Sequence, residues 1–264
     1  MAIARTEPPY DGDPLINEIE CLFLDSIRQA RDMIYIESQY LTTETICDAL
    51  YDRLTSDKPP EIVIINPEAA LSDTEDQAMH VLRGRVITRF RNADHADRLR
   101  IFNPVNSTGE PIYVHAKIMI VDDTILHIGS SNLDDRSMGF DTECDVAIHG
   151  HKELITGFRR TLLAEHLGVT PDQFEETLAG EGSIIAAIER LNAAEGRGLR
   201  RIEVLPETWI GQFLADTRLM DPRYEVGEGS AAGRGLRPRH LVIAAAAAAA
   251  GYAVFKLWTL RRRR

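Results

Sequence analysis

The sequence predicts an α/β fold, a mixed and mostly parallel sheet flanked by helices, with a hydrophobic helix near the C-terminal end. Three observations lead there. Short continuous apolar runs, Met33-Ile34-Tyr35-Ile36 and Glu61 to Ile65, read as strands covered on both faces. Between such runs the apolar residues recur at helical spacing. Leu241 to Leu260 is a 20-residue apolar stretch with a single charge, Lys256.

Taken in order, Ile3 to Thr6 is a short strand of a larger sheet, closed by Pro8-Pro9. Asp13-Pro14 opens a helix that carries Ile16, Ile19, Leu22, Phe23, Ile27 and Ala30. The Met33 run follows as a strand. A second helix spans Thr45 to Leu54 and ends before Pro59-Pro60. The strand from Glu61 stops at Asn66-Pro67, and a third helix carries Met79, Leu82, Val86 and Phe90. Leu99 to Val105 is again a strand. Residues 1 to 105 therefore alternate strand and helix, the pattern of a covered parallel sheet. From Ile112 to Ile148 the pattern changes to strands joined by short turns. Helical periodicity returns from Lys152 to Leu167 and ends at Gly168, with further helices at Pro171 to Leu178, Ser183 to Ala194 and Glu207 to Asp216. No unit is repeated within the chain.

Composition narrows the function. Cys21, Cys47 and Cys144 are odd in number and lack CxxC spacing, which argues against a disulfide framework or a zinc knuckle. The chain carries 30 Lys+Arg against 41 Asp+Glu. Residues 234 to 264 hold eight of the basic residues and no acidic ones, so the remaining body has a net charge of −19. Such a body repels a nucleic-acid polyanion at long range, which disfavours nucleic acid as a partner. The N-terminus lacks the apolar run of a secretory signal.

The chemistry lies between Tyr113 and Ala147. His115 and Lys117 are two apart on an expected strand and share one face, while Val114, Ala116, Ile118 and Ile120 fill the other. Asp122-Asp123 is a turn. The returning strand ends in Gly129-Ser130-Ser131-Asn132, where Ser130 and Asn132 share parity. One strand end can thus gather an imidazole, an ammonium, a hydroxyl and a carboxamide. A neutral imidazole is a nucleophile toward phosphorus. Lys117 supplies a positive charge for the nonbridging oxygens, and Ser130 and Asn132 add neutral donors where charge develops. No metal or other cofactor is required, and no spacing resembles a metal-ligand set. His80, His95, His127, His149, His151 and His166 fit no second motif of this kind.

His115-x-Lys117, then Asp122, then Gly129-Ser130-x-Asn132, resembles the HKD signature of the phospholipase D superfamily. The strand end Ile34-Tyr35-Ile36-Glu37-Ser38-Gln39-Tyr40 is similar to one in the second half of two-domain bacterial phospholipases D and cardiolipin synthase-like proteins. So are the RTEPPY segment near the N-terminus and Leu162 to Gly168. Roughly residues 1 to 220 match that C-terminal half. The resemblance implies catalysis by His115, through a covalent phosphohistidine or by protonating the leaving group. It implies that Lys117 serves the phosphate and that Glu143, 28 residues after His115, orients the imidazole. Asp122 completes the catalytic motif, but its place in the turn, away from Lys117, marks it as mainly structural. Ser130 and Asn132 bind substrate. Gln39 or Glu37 either lines the pocket or packs at the strand end.

The superfamily uses two such motifs and this chain has one. A second HKD-bearing half, from a homodimer or a separate chain, is therefore an expected partner. The competing readings are a dimeric single-motif nuclease and an inactive half that binds or scaffolds a partner. The expected organisation is a phospholipase D-like half-domain at 1–222, a flexible linker at 223–239, a candidate transmembrane helix at 240–260 and a basic tail at 261–264. Twenty apolar residues suffice to cross a hydrocarbon core of about 30 Å. Trp258 and Arg261 to Arg264 suit an interface anchor. The alternatives for that segment are an Ala-rich soluble helix or a surface-bound one. A phospholipid substrate, a membrane location and a cytoplasmic catalytic part follow as expectations.

Overall fold

A computed structural model of the chain describes residues 1–68, 73–204, 206–217, 221 and 223. The segments expected as linker, membrane helix and basic tail lie outside the described residues, apart from Arg223. No helix among the described residues is long and apolar enough to cross a membrane.

The strands are β1 (Ala2–Glu7), β2 (Ile16–Asn17), β3 (Met33–Ser38), β4 (Glu61–Ile65), β5 (Leu99–Val105), β6 (Lys117–Val121), β7 (Ile125–Gly129), β8 (Glu143–His149) and β9 (Gly198–Arg201). The helices are α1 (Glu18–Gln29), α2 (Glu44–Leu54), α3 (Asp73–Arg91), α4 (Asp135–Gly139), α5 (Lys152–Leu167), α6 (Pro171–Glu181), α7 (Ile184–Leu191) and α8 (Trp209–Thr217). All nine strands join one sheet in the order β2-β1-β8-β7-β6-β3-β4-β5-β9.

The α/β class and the flanking helices hold, but the sheet is not mostly parallel. Only β3 with β4 and β4 with β5 run parallel, and the other six pairings are antiparallel. The reason is the connections. Helices α2 and α3 cross over between β3, β4 and β5 and return the chain in the same direction. Beyond β5, the connections bring the chain back antiparallel to its neighbours. The tightest is Val121-Asp122-Asp123-Thr124, where both aspartates have φ of 51° and the Thr124 N–H donates to the Val121 carbonyl at 2.9 Å. Two left-handed residues make a hairpin turn whose twist matches the strands, and aspartate tolerates that conformation better than most residues.

The continuous apolar runs are buried on both faces, as double coverage requires. On β3, Ile34 and Ile36 face one core with Ile62 and Ile64 of β4, under Phe23 and Ile27 of α1, Leu50 of α2 and Phe90 of α3. Tyr35, Val63 and Ile65 face the opposite core, under Ile155, Leu163 and Leu167 of α5, Phe174 of α6 and Ile188 of α7. Alternation along a strand sends neighbours to opposite faces, so one apolar run serves two layers. Local signals set the helix ends. Gly168, at φ of 69°, stops α5, and Thr170 with Gln173 forms a capping box at α6 behind Pro171.

Three further elements depart from the expectation. The first helix begins at Glu18, because Ile16-Asn17 pair with Glu7 and Thr6 as β2. Strand β9 closes the far edge on β5, and the five-residue α4 follows the Gly-Ser-x-Asn segment.

Candidate active site at one end of the sheet

The parallel strands β3 and β4 and the strand β7 end where β6 and β8 begin, so five strand termini meet at one edge. Ser38 pairs with Lys117, and Gly129 pairs with Asp145. Loops leaving these strands are stitched together. Thr42 N–H donates to the Leu133 carbonyl at 2.8 Å, and Asn66 Nδ2 donates to the carbonyls of Ser38 and Gln39 at 2.7 and 3.1 Å. Such a rigid end, at the carboxyl termini of parallel strands, is where open α/β sheets place ligand sites.

His115 lies just before β6, not on the ladder itself. Its side is exposed while Val114 is buried, so the expected alternation survives without strand pairing. Val114 and Ile120 enter the α5-side core, with Ala116 and Ile118 packed against it. The His115 ring stacks on Tyr113, with centroids 6.2 Å apart and planes 26° apart. Lys117 is half-buried. Its Nζ donates to Gln39 Oε1 at 3.2 Å and to the His115 carbonyl at 3.1 Å. Burial pulls the ammonium below the ordinary lysine range, and the carboxylates of Asp134 and Glu143 oppose that shift.

Glu143 faces two hydroxyls rather than the imidazole. It accepts from Ser130 Oγ, and from Ser137 Oγ at 2.8 Å. Ser137 Oγ in turn accepts from the Asn132 N–H at 3.0 Å. The expected Glu143–His115 pairing is therefore replaced by a chain that links Glu143 to the Gly-Ser-x-Asn segment. Ser130 has one hydroxyl proton and gives it to Glu143, so in this arrangement it offers no donor to a phosphate. The Asn132 side-chain Oδ1 is buried without a hydrogen-bond partner among the described residues.

Gly129 explains the first letter of that segment. A Cβ there would stand 1.8 Å from Asp145 Oδ1 and 2.6 Å from Asp145 Cα. Its absence lets the chain wrap over Asp145, which accepts from the N–H of Ser130 and Ser131 at 3.1 and 3.2 Å and from Ser131 Oγ at 2.5 Å. Burial raises the Asp145 pKa against the pull of those bonds. Asp134 caps α4 by accepting from Ser137 N–H at 2.9 Å. Burial, and then the charge of Asp221, push it up to about 7.

Asp122 lies at the other end of β6, away from Lys117. Its carboxylate accepts from the N–H of Arg31, Asp32 and Met33 at 2.8, 2.8 and 2.9 Å. Asp123 holds the buried Arg159 guanidinium through two bonds of 2.7 Å. Glu37 turns into the α5-side core, where Tyr35 Oη at 2.5 Å and His166 Nε2 at 3.1 Å meet it. It does not line the site.

Sequence reasoning missed Tyr113, Ser137, Asp134 and Asp145. Tyr113 had a usable signal, since it lies two residues before His115 and shares its parity. The other three act through α4 and the β7–β8 pairing, which no local pattern announces.

The fold and site together define a class: an α/β domain that presents a His-x-Lys pair and a Gly-Ser-x-Asn turn at one sheet end. A family model described as "Cardiolipin synthase, PLD-like domain" matches residues 23–163. The chain belongs to this phospholipase D superfamily. It is 29% identical to phospholipase D alpha 1 of Cynara cardunculus over 182 residues, which are 62% of this chain and 19% of that protein. The chain thus spans about a fifth of that relative's length. Among solved structures, the phospholipase D family member Nuc from Salmonella typhimurium aligns with a TM-score of 0.42 at 18% identity, over 60% of this chain and 88% of that one. Phosphatidylserine synthase of Haemophilus influenzae aligns with a TM-score of 0.47 at 14% identity, over 60% and 37%.

Proposed function

We propose that this chain is one catalytic half of a phospholipase D-type phosphodiesterase or transphosphatidylase acting on phospholipids. One observation carries the reading: the Lys117 ammonium is anchored by Gln39 Oε1 and the backbone carbonyl of His115, and its third N–H meets no acceptor among the described residues. An ammonium so placed can hold a nonbridging phosphate oxygen while a His115 ring nitrogen attacks phosphorus. The P–N bond forms as the P–O bond to the leaving alcohol breaks. That oxygen needs a proton, which a second imidazole supplies. The same second imidazole, now neutral, takes the proton of water or an acceptor alcohol as it attacks the phosphohistidine and releases His115. Asn132 stabilises the charge on the equatorial oxygens.

His115 is the one imidazole the motif supplies, so the reaction needs a second half. A row of apolar side chains supports its docking. Ile3, Val146, Ile128 and Ile118 are paired across β1, β8, β7 and β6 and so share one face of the sheet, with Ile3 66% and Ile128 41% exposed. The row runs alongside Ser130. A second HKD-bearing half, either another copy or a separate chain, would cover it and bring its histidine to the same phosphate. The apolar 240–260 segment would tether the body to the bilayer that presents the lipid, with the catalytic part on the cytoplasmic side.

The test is hydrolysis of phosphatidylglycerol or phosphatidylcholine vesicles by the full chain, alone and with a second HKD-bearing half. Acid-labile label on histidine is trapped in the same reactions. Turnover that needs the second half and vanishes in His115→Ala is expected. Robust turnover by a monodisperse monomer, or undiminished turnover in His115→Ala, overturns the reading.

A further inference from the structure

Gln39 leaves the end of β3 almost fully enclosed, at 7% exposure, and its backbone is locked by Asn66. Asn66 is itself held by Arg83, whose Nη1 donates to Asn66 Oδ1 at 2.6 Å. The orientation of the Gln39 amide follows from its neighbours. A lysine ammonium has donors only, so the Gln39 atom 3.2 Å from Lys117 Nζ is the carbonyl oxygen. The NH2 group then points the other way and donates to Tyr40 Oη at 2.7 Å and to Tyr113 Oη at 2.6 Å. Both N–H bonds are used. Gln39 has no donor left for a phosphate oxygen, which removes it from the substrate-binding set.

What the amide does is connect. On one side it fixes two of the three directions of the Lys117 ammonium, together with the His115 carbonyl. On the other it holds the hydroxyl of Tyr113, whose ring stacks on the His115 imidazole. We propose that Gln39 is a positioning residue that aims both the Lys117 ammonium and, through the Tyr113 ring, the His115 imidazole at a single phosphate position. The proposal rests on the phosphodiester reading of this site.

The test uses tungstate, a phosphate mimic, with its affinity for the full chain measured by calorimetry and the His115 ring followed by NMR. Wild type binds and Lys117→Ala does not. Gln39→Leu weakens tungstate by about tenfold, the scale of one hydrogen bond to a charged group, and moves the His115 ring resonances although no hydrogen bond joins residue 39 to that ring. Tyr113→Leu moves the same resonances, whereas Tyr113→Phe, which keeps the stacked ring, moves them less. If Gln39→Leu fails to fold, Gln39→Glu replaces it. That variant keeps the shape and the acceptor facing Lys117, exchanges the amide donors for an acceptor, and still shifts the ring. Wild-type affinity and unmoved resonances in the folded residue-39 variant overturn the positioning role. Tungstate binding that is equal in wild type and Lys117→Ala instead overturns the phosphate site, and the positioning role falls with it.

Discussion

Replacing Asp122 with alanine removes an acceptor that three backbone N–H groups share, those of Arg31, Asp32 and Met33 at 2.8 to 2.9 Å. These groups sit where α1 ends and β3 begins, so the carboxylate ties the entry of the central strand to the β6–β7 turn. Each bond to a half-buried carboxylate contributes a net of about 1 kcal/mol, less than an enclosed pair would. Residue 122 also has φ of 51°, a conformation that costs alanine about 1 kcal/mol more than aspartate or asparagine. The sum for Asp122→Ala is about 4 kcal/mol. Asp122→Asn keeps the left-handed tolerance and the Oδ1 that serves Asp32 and Met33. It loses only the Oδ2 bond to Arg31, so about 1 to 2 kcal/mol is expected. Urea unfolding followed by circular dichroism reads both values. Tungstate affinity of the folded Asp122→Asn protein should match wild type, because nothing at residue 122 reaches Lys117. An Asp122→Ala protein as stable as wild type, or one where asparagine is as damaging as alanine, would refute the anchoring argument.

Three other perturbations have signs set by the structure. His127 is buried against Phe23 and Ser26, and burial drops its pKa to about 4 from 6.5. An unfolded imidazole takes its proton near pH 6.5, so this contribution is complete above 6.5 and is lost as pH falls toward 4. Its full size is about 3 kcal/mol, and His127→Leu should flatten that part of the stability–pH curve in urea melts. Asp134 has the opposite sign. Its folded pKa of about 7 exceeds the usual 3.8, so its relative contribution is present below 3.8 and lost as pH rises through 7. Asp134→Asn keeps the α4 cap and should gain stability over wild type above pH 7, measured by the same melts. Gly129→Ala drives a methyl into the Asp145 backbone and should cost about 3 kcal/mol; an unchanged thermal midpoint would contradict the close approach.

Much of the fold could be read from strands that carry their own signature. Glu61–Ile65, Leu99–Val105 and the helix Lys152–Leu167 match the sequence reading at both ends, because apolar runs or helical periods stop there at Asn66-Pro67, Asn106 and Gly168. Sheet direction was not legible. An apolar strand has the same composition whether its neighbour runs with it or against it, and only the connections decide. Strand β9, Gly198-Leu199-Arg200-Arg201, has too few apolar residues to show a period, and it exists because β5 offers it an edge. Helix α4 is shorter than two turns, so periodicity has nothing to act on. At the site, His115, Lys117, Ser130 and Asn132 stand out by spacing. Their actual partners do not: Glu143 is 28 residues from His115 in the chain yet is engaged by Ser130 and Ser137, a choice made by side-chain reach across β7 and β8.

The charge around Lys117 bears on an apparent conflict between an acidic body and the anionic substrate proposed for it. The carboxyl groups of Glu143, Asp145 and Asp134 near the site are each engaged by hydrogen bonds. Glu143 accepts two hydroxyl protons, and Asp145 accepts two backbone N–H bonds and a hydroxyl. Burial and the charge of Asp221 push the Asp134 pKa up to about 7, which favours its neutral form relative to an ordinary aspartate. Hydrogen bonds that satisfy a carboxylate spread its charge away from the open side, and partial protonation reduces it further. Burial lowers the Lys117 pKa and the charges of Asp134 and Glu143 oppose that shift, while its third N–H faces no acceptor among the described residues. A phosphodiester arriving at that N–H therefore meets a local positive end inside a body whose net charge is −19. The long-range repulsion falls off within a Debye length of about 8 Å at physiological salt. On the proposed reading, short-range contact with the Lys117 ammonium, held by Gln39 and the His115 carbonyl, would then govern binding of a phosphodiester.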